Sequence, residues 1–255
     1  MASSRLPILP ASKTAYRDLW HVIMAMPALI GCALLIILAQ TVVEIMVPQS
    51  VWSTPFLGSV LGFLLDVMRS FLLTPIMIAA HRYIILGEVT PGYVLDPGAP
   101  AFQAFFRWLV ALSALSAAAT LVHALVLAAS PWIVVTTAVF IIGTIVVIAV
   151  TARLSTMFPA IAVDAAGANA SNAWADTQGY AFGIFLIFLV ASLPLAAVAI
   201  LELFALGPGL MERGSTLSVI DLIIGSPIQT GLAILYVAIA SRLFQALAHR
   251  LNGEA

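Results

Sequence analysis

Charge is the scarcest property of this 255-residue chain: Lys+Arg number 10 and Asp+Glu 11, together 8% of residues, for a formal net charge of −1. A soluble domain carries about 25% charged residues, so this chain has too few to cover its surface in water. The deficit excludes a soluble enzyme and a disordered chain, and leaves no basic face for nucleic acid. Cysteine is nearly absent too. The single Cys32 excludes disulfides within the chain and Cys-based zinc or haem sites, and reads as a small packing residue. Also missing are GxSxG, Walker, GxGxxG and HExxH motifs, each of which would announce a nucleophile, a phosphate cradle or a metal. No cofactor and no metal site is predicted.

What is abundant is apolar sequence, 63% of residues with a mean hydropathy of +1.14. Crossing a bilayer takes about 20 apolar residues as a helix, and only helices or closed barrels satisfy their backbone there. The runs are long and lack period-2 alternation, so they read as helices. Six are predicted: Val22–Val47, Phe56–Ala80, Phe105–Ala129, Trp132–Ala152, Tyr180–Leu203 and Leu217–Ala240. The first is too long for the apolar core of a signal peptide and reads as an uncleaved anchor. The expected fold is all-α, one transmembrane domain over 1–255. It has a cytoplasmic segment 1–21, a cytoplasmic interfacial segment 154–179 and a cytoplasmic tail 241–255.

The few charges orient this bundle. If the helices alternate, Arg5, Lys13, Arg17, Arg82, Arg107, Arg153, Arg242 and Arg250 all fall on one side. Arg213 alone lies opposite, and Arg69 lies inside a span. Basic residues stay cytoplasmic, so both termini are expected inside. Thr14–Trp20 reads as a short interfacial helix with Tyr16 and Trp20 at headgroup depth. The external links are short, and the longer internal ones, Leu86–Ala104 and Leu154–Gly179, turn the longest polar stretch to the cytoplasm.

Asp66 and Arg69 stand three apart within the second span, where each charge costs at least about 2.5–3.5 kcal/mol on insertion scales. Two readings stay open: a proton or ion relay or anionic-headgroup pocket, and a structural pair facing the bundle interior or an Arg that snorkels. Glu44, Glu202, Asp221 and His123 either ring an external vestibule or are solvated helix ends. His21, His81 and His249 read as isolated near the cytoplasmic surface. Pro27, Pro75, Pro194 and Pro227 fall within spans, where proline either breaks a helix around a substrate or only bends it. Gly58-x-x-x-Gly62, Gly179-x-x-x-Gly183 and the pairs Ala114/Ala118 and Ala124/Ala128 permit close helix approach. Ala80-His81-Arg82-Tyr83, Thr151-Ala152-Arg153-Leu154 and Ala240-Ser241-Arg242-Leu243 repeat at three helix ends. They record either three related hairpins or Arg placed at the negative end of each helix.

Two cytoplasmic stretches carry a resemblance. They are His81-Arg82-Tyr83-Ile84-Ile85-Leu86-Gly87-Glu88 and Arg153-Leu154-Ser155-Thr156-Met157-Phe158-Pro159-Ala160-Ile161-Ala162-Val163-Asp164, the latter followed by Ala173-Trp174-Ala175-Asp176-Thr177-Gln178-Gly179. Together they resemble the YciC-like bacterial membrane proteins and the related membrane domain fused to some glycerophosphodiester phosphodiesterases. The resemblance implies a six-helix bacterial inner-membrane protein without an assigned activity, and no catalytic residue carries over. From the residues themselves, Arg153 is expected to end the fourth helix at the headgroups, Pro159 to break the chain about two turns later, and Trp174 to mark the interface. His81, Arg82, Glu88, Arg153, Pro159, Asp164, Trp174, Thr177 and Gly179 thus form a candidate cytoplasmic interface.

Three functions follow as expectations. The first is a non-enzymatic scaffold, accessory subunit or membrane-homeostasis factor, with the lipid bilayer and a membrane-protein partner or second copy as its contacts. The second is a small-solute or ion transporter or channel using Asp66 and Arg69, which requires a polar cavity reaching Asp66. The third is a lipid-modifying enzyme, which requires Glu88, Asp164, Asp176 and His81 in one cleft.

Overall fold

A computed structural model of the chain describes residues 6–130, 132–206 and 216–253, and within these the backbone alone of 202–206 and 216–221. Arg5, Arg213 and the side chains of Glu202 and Asp221 lie outside the described residues. All regular structure described is helical: α1 (Ile8–Ala25), α2 (Pro27–Met46), α3 (Gln49–Trp52), α4 (Pro55–Leu86), α5 (Pro100–Ala129), α6 (Ile133–Leu154), α7 (Met157–Ala162), α8 (Ala170–Asp176), α9 (Ala181–Leu206) and α10 (Thr216–Leu247). Six helices are long and apolar enough to cross a membrane: α2, α4, α5, α6 with its continuation α7, α9 and α10. They correspond one to one with the expected spans.

The first span begins at Pro27, not at Val22. Proline lacks an N–H and forces the residue before it out of the helical region, and Met26 accordingly sits at φ −132°, ψ 54°. The chain upstream is an independent helix, α1, longer than the expected Thr14–Trp20. One face of it, with Ser12, Ala15, Asp18, Leu19 and Val22, is buried against α9 and α10. Its other face exposes Leu9, Lys13, Arg17, Trp20 and Met24. Trp20 therefore faces outward as expected, but Tyr16 faces inward, and its hydroxyl donates to the Ala191 carbonyl at 2.8 Å. Pro75, Pro194 and Pro227 lie inside continuous helices and break none of them.

Both long links fold back onto the helices. α4 ends where Gly87 takes the left-handed conformation (φ 74°) and returns its N–H to the Tyr83 carbonyl, the usual glycine stop. The link then turns back along the bundle, and Tyr93 donates to the Leu72 carbonyl at 2.9 Å. That carbonyl lies roughly 21 Å below the end of α4 at 1.5 Å per residue. It is also one residue past the Phe71 carbonyl, which Pro75 leaves without its helical donor.

The second link holds α7, and every residue of α7 is buried. This early part of the segment 154–179 is a plug. Met157, Phe158, Ile161 and Ala162 pack with Phe105, Leu154, Phe244 and Leu251, because Met-Phe-Pro-Ala-Ile-Ala has no polar face to offer water. Pro159 does not break the chain after itself either. It occupies the first turn of α7, where its missing N–H costs nothing, and its ring excludes helical continuation from Ser155. The interruption falls upstream, at Ser155–Thr156.

Candidate functional site

Four side-chain clusters tie the ends of α4, α6, α7, α8 and α10 to one another and to α1. The first centres on Arg82, at the end of α4. Its Nε donates to Glu88 Oε2 at 2.7 Å, and its Nη1 donates to the Ala162 carbonyl at 3.0 Å and to Asp164 Oδ2 at 3.1 Å. Asp164 holds a positive φ of 53°, the turn that ends α7 and brings its carboxylate to Arg82. One guanidinium thus joins α4, the link after it and the end of α7.

The second cluster centres on Arg153, whose guanidinium lies 4.6 Å from the centre of the Trp174 ring, within cation–π range. It donates to the Trp174 carbonyl and, at 3.2 Å, to the Thr177 carbonyl. The Thr177 hydroxyl donates back to Ala173 at 2.7 Å and is fully buried. Gly179, at φ 84°, supplies the left-handed turn into α9. Arg153 stands in the last turn of α6, at the expected helix end, and it also clamps α8 over that end.

The third is Asp176, whose carboxylate accepts the backbone N–H groups of Arg250 and Leu251 at 3.1 and 3.0 Å. The fourth, Asp18 with Arg242, escaped the sequence reading. Asp18 is 4% exposed on α1, and Arg242 reaches it through two hydrogen bonds of 2.6 and 2.8 Å. The signal was an acid on the apolar face of an amphipathic helix, which demands a cation from elsewhere.

The interface candidates are therefore brought together in part. Arg82, Glu88 and Asp164 meet; Arg153, Trp174 and Thr177 meet. His81 does not join them, because it turns inward, is 1% exposed and pairs its Nδ1 with Ser241 Oγ at 2.8 Å. Glu88 and Asp164 thus share Arg82, whereas Asp176 pairs with the Arg250 and Leu251 backbone and His81 with Ser241. Among the described residues no three of His, Cys, Asp and Glu gather as a metal-holding group.

Asp66 and Arg69 form an ion pair at 2.7 Å, with their side chains 39% and 33% exposed. A cavity of about 490 Å³ reaches Asp66 from the α3 end, between α2, α3, α4 and α5. Glu44, Ser59, Ser116 and Thr120 give it polar walls, and Gln40 Nε2 donates to Glu44 at 2.7 Å. Gly58 and Gly62 lie in its wall, and Gly58 is required there. A Cβ on it would stand 2.9 Å from the Trp52 carbonyl oxygen, so the small-x-x-x-small spacing admits α3. Asp66 lies roughly 17 Å along α4 from Pro55 at 1.5 Å per residue. Further along the same α4–α5 seam, Phe71 packs edge-on against Phe102 and Phe106, at 5.3 Å each. His123, read as either part of an external ring or a solvated helix end, tilts against Phe140 between α5 and α6. No protein family, curated protein or solved structure matches this chain.

Proposed function

We propose that this chain is a six-span protein of the bacterial inner membrane with both termini cytoplasmic, and that it acts there without catalysis as a scaffold, accessory subunit or membrane-homeostasis factor of the YciC-like kind. The observation that carries this reading is the interlocked end built by Arg82, Arg153, Asp176 and Arg242. Acids and cations there are spent on joining helix ends to one another, a use that suits a rigid platform presented to a partner or a second copy. The outer face of α1 supports the membrane setting. Leu9, Trp20 and Met24 are exposed beside Lys13 and Arg17, the pattern of a basic amphipathic helix lying in an interface. The lateral shell supports it too, with Phe140, Ile141, Ile145, Phe182 and Leu193 exposed along α6 and α9.

A photoreactive residue placed at Trp174, which is 46% exposed on the platform, tests the scaffold reading in living cells. The expected result is one discrete crosslinked product that Arg82→Ala weakens. A solitary monomer at native expression contradicts it.

A second reading, a small-solute or ion transporter, is favoured by the polar cavity that reaches Asp66. Proton or monovalent-cation flux into proteoliposomes, lost in Asp66→Asn, is its expected signature. Flux equal to that of empty liposomes contradicts it.

A further inference from the structure

A second cavity, of about 480 Å³, lies between α4, α5, α6, α9 and α10, inside the roughly 300–1,000 Å³ range of small-molecule sites. Leu109, Leu112, Val147, Phe185 and Phe188 form much of its wall, and no Asp, Glu, Lys or Arg lines it. Its large exposed lining residues are Ile148, Leu189 and Tyr236. These place the mouth at the seam of α6 and α9, two helices that touch only sparingly. The cavity is thus continuous with the apolar lateral shell.

Among the hydroxyls in its wall, Thr151 belongs to an exposed residue of α6, and those of Ser155, Ser192 and Tyr236 are already hydrogen-bonded. Ser192 donates to the Phe188 carbonyl at 2.7 Å, which leaves its oxygen to accept from the Tyr236 hydroxyl at 3.1 Å. Ser155 donates to the Ala152 carbonyl at 2.8 Å. His81 is different. Ser241 spends its one proton on the Val237 carbonyl at 2.9 Å, so it must accept from His81 Nδ1 across their 2.8 Å contact. In the neutral imidazole this puts the proton on Nδ1 and a bare lone pair on Nε2. His81 makes no other hydrogen bond among the described residues, and it lines the cavity beside Phe105 and Phe158.

We propose that this cavity binds a single-chain amphiphile, an undissociated fatty acid or a fatty alcohol, whose alkyl chain lies on the apolar wall and whose terminal O–H donates to His81 Nε2. A charged headgroup would need counter-charges that the wall lacks, whereas one neutral donor satisfies the bare Nε2 of the buried His81. The route of entry through the α6–α9 seam rests on the membrane reading above.

The test uses the full chain in phosphatidylcholine vesicles with a diazirine-bearing hexadecanol as photolabel, the modified residues being mapped by mass spectrometry. Label is expected on Leu109, Leu112 or Tyr236. Hexadecanol or palmitic acid should displace it about tenfold better than methyl palmitate, which has the chain but no donor. His81→Phe should abolish that preference, and Leu109→Trp should remove the cavity label while Ile141 on the outer shell stays labelled. Equal competition by the ester, label confined to the outer shell, or equal cavity labelling by a diazirine-bearing phosphatidylcholine would overturn the proposal. Failure of the protein to float with the vesicles would overturn the membrane reading instead.

Discussion

Asp18 and Arg242, 224 residues apart, form a two-pronged ion pair in which the carboxylate is almost wholly buried and the guanidinium partly exposed. Arg242 Nε and Nη2 each donate to one carboxylate oxygen, and Arg242 Nη1 also donates to Gln245 Oε1 at 2.9 Å. The pair holds α1 across the end of α10, with the Tyr16–Ala191 hydrogen bond holding the same helix to α9.

Removing the cation strands a carboxylate that cannot reach water. Arg242→Leu is therefore expected to destabilise the protein by about 1.5–3 kcal/mol, the scale of hydrogen bonds to charged groups. Asp18→Asn, which leaves a neutral side chain in place and the cation partly solvated, costs less. Thermal unfolding of the two variants in one detergent checks the order, and equal or absent losses would contradict it.

Gly167 is fixed by contact with the tail. A Cβ there would stand 2.1 Å from the Arg250 carbonyl oxygen and 3.0 Å from that of Leu251, where the Gly167 N–H also donates to Leu251. Gly167→Ala is expected to cost about 1–3 kcal/mol by overpacking. Gly31→Ala, with nothing within 4 Å of the new Cβ, is the control and should be neutral or stabilising. Denaturation midpoints measure both, and a tolerated Gly167→Ala would show that the tail packs elsewhere.

How much of this was legible beforehand depended on range along the chain. The six spans were readable because each is decided within one stretch of apolar sequence. The break at Met26 was missed, because the apolar run Val22–Val47 continues through Pro27 although proline bars the residue before it from the helix. The burial of α7 follows from a six-residue segment with no polar side chain. Partner choice was not readable. Arg82, Arg153 and Arg242 stand alike at three helix ends, yet each takes a different partner: a carboxylate pair, an indole with two carbonyls, and a buried acid on α1. Position in the chain also misplaced His81. It adjoins Arg82, but one residue is about 100° of helix, enough to turn one side chain inward and the next outward.

Burial raises the phenol pKa of Tyr16 and Tyr93 above the ordinary value of 10.0. In both, the protonated hydroxyl makes the hydrogen bond, to Ala191 and to Leu72. A pKa raised by folding contributes stability that is complete below the unfolded value and lost as pH climbs through the native one. Alkaline titration above about pH 10 is therefore expected to loosen α1 and the link after α4. Tyr16→Phe or Tyr93→Phe should each remove one late-ionising phenol from the ultraviolet titration, and curves unchanged by either substitution would contradict the assignment.

The cavity at Asp66 makes a claim about access. In a Cys32→Ala background, Asp66→Cys is expected to react readily with a charged, membrane-impermeant thiol reagent. Ile76→Cys, at a position 1% exposed further along α4, should not. Equal protection of both would close the cavity and remove the support for the transport reading.

The most direct test of the central claim, six crossings with both ends of the chain inside, is sidedness. Single cysteines at Asn252 and at Ser50, in the Cys32→Ala background, are exposed to an impermeant thiol reagent in intact spheroplasts and again after lysis. The account predicts that Ser50→Cys labels at once and Asn252→Cys labels only after lysis. Labelling of Asn252→Cys in intact spheroplasts, or protection of Ser50→Cys there, would contradict it.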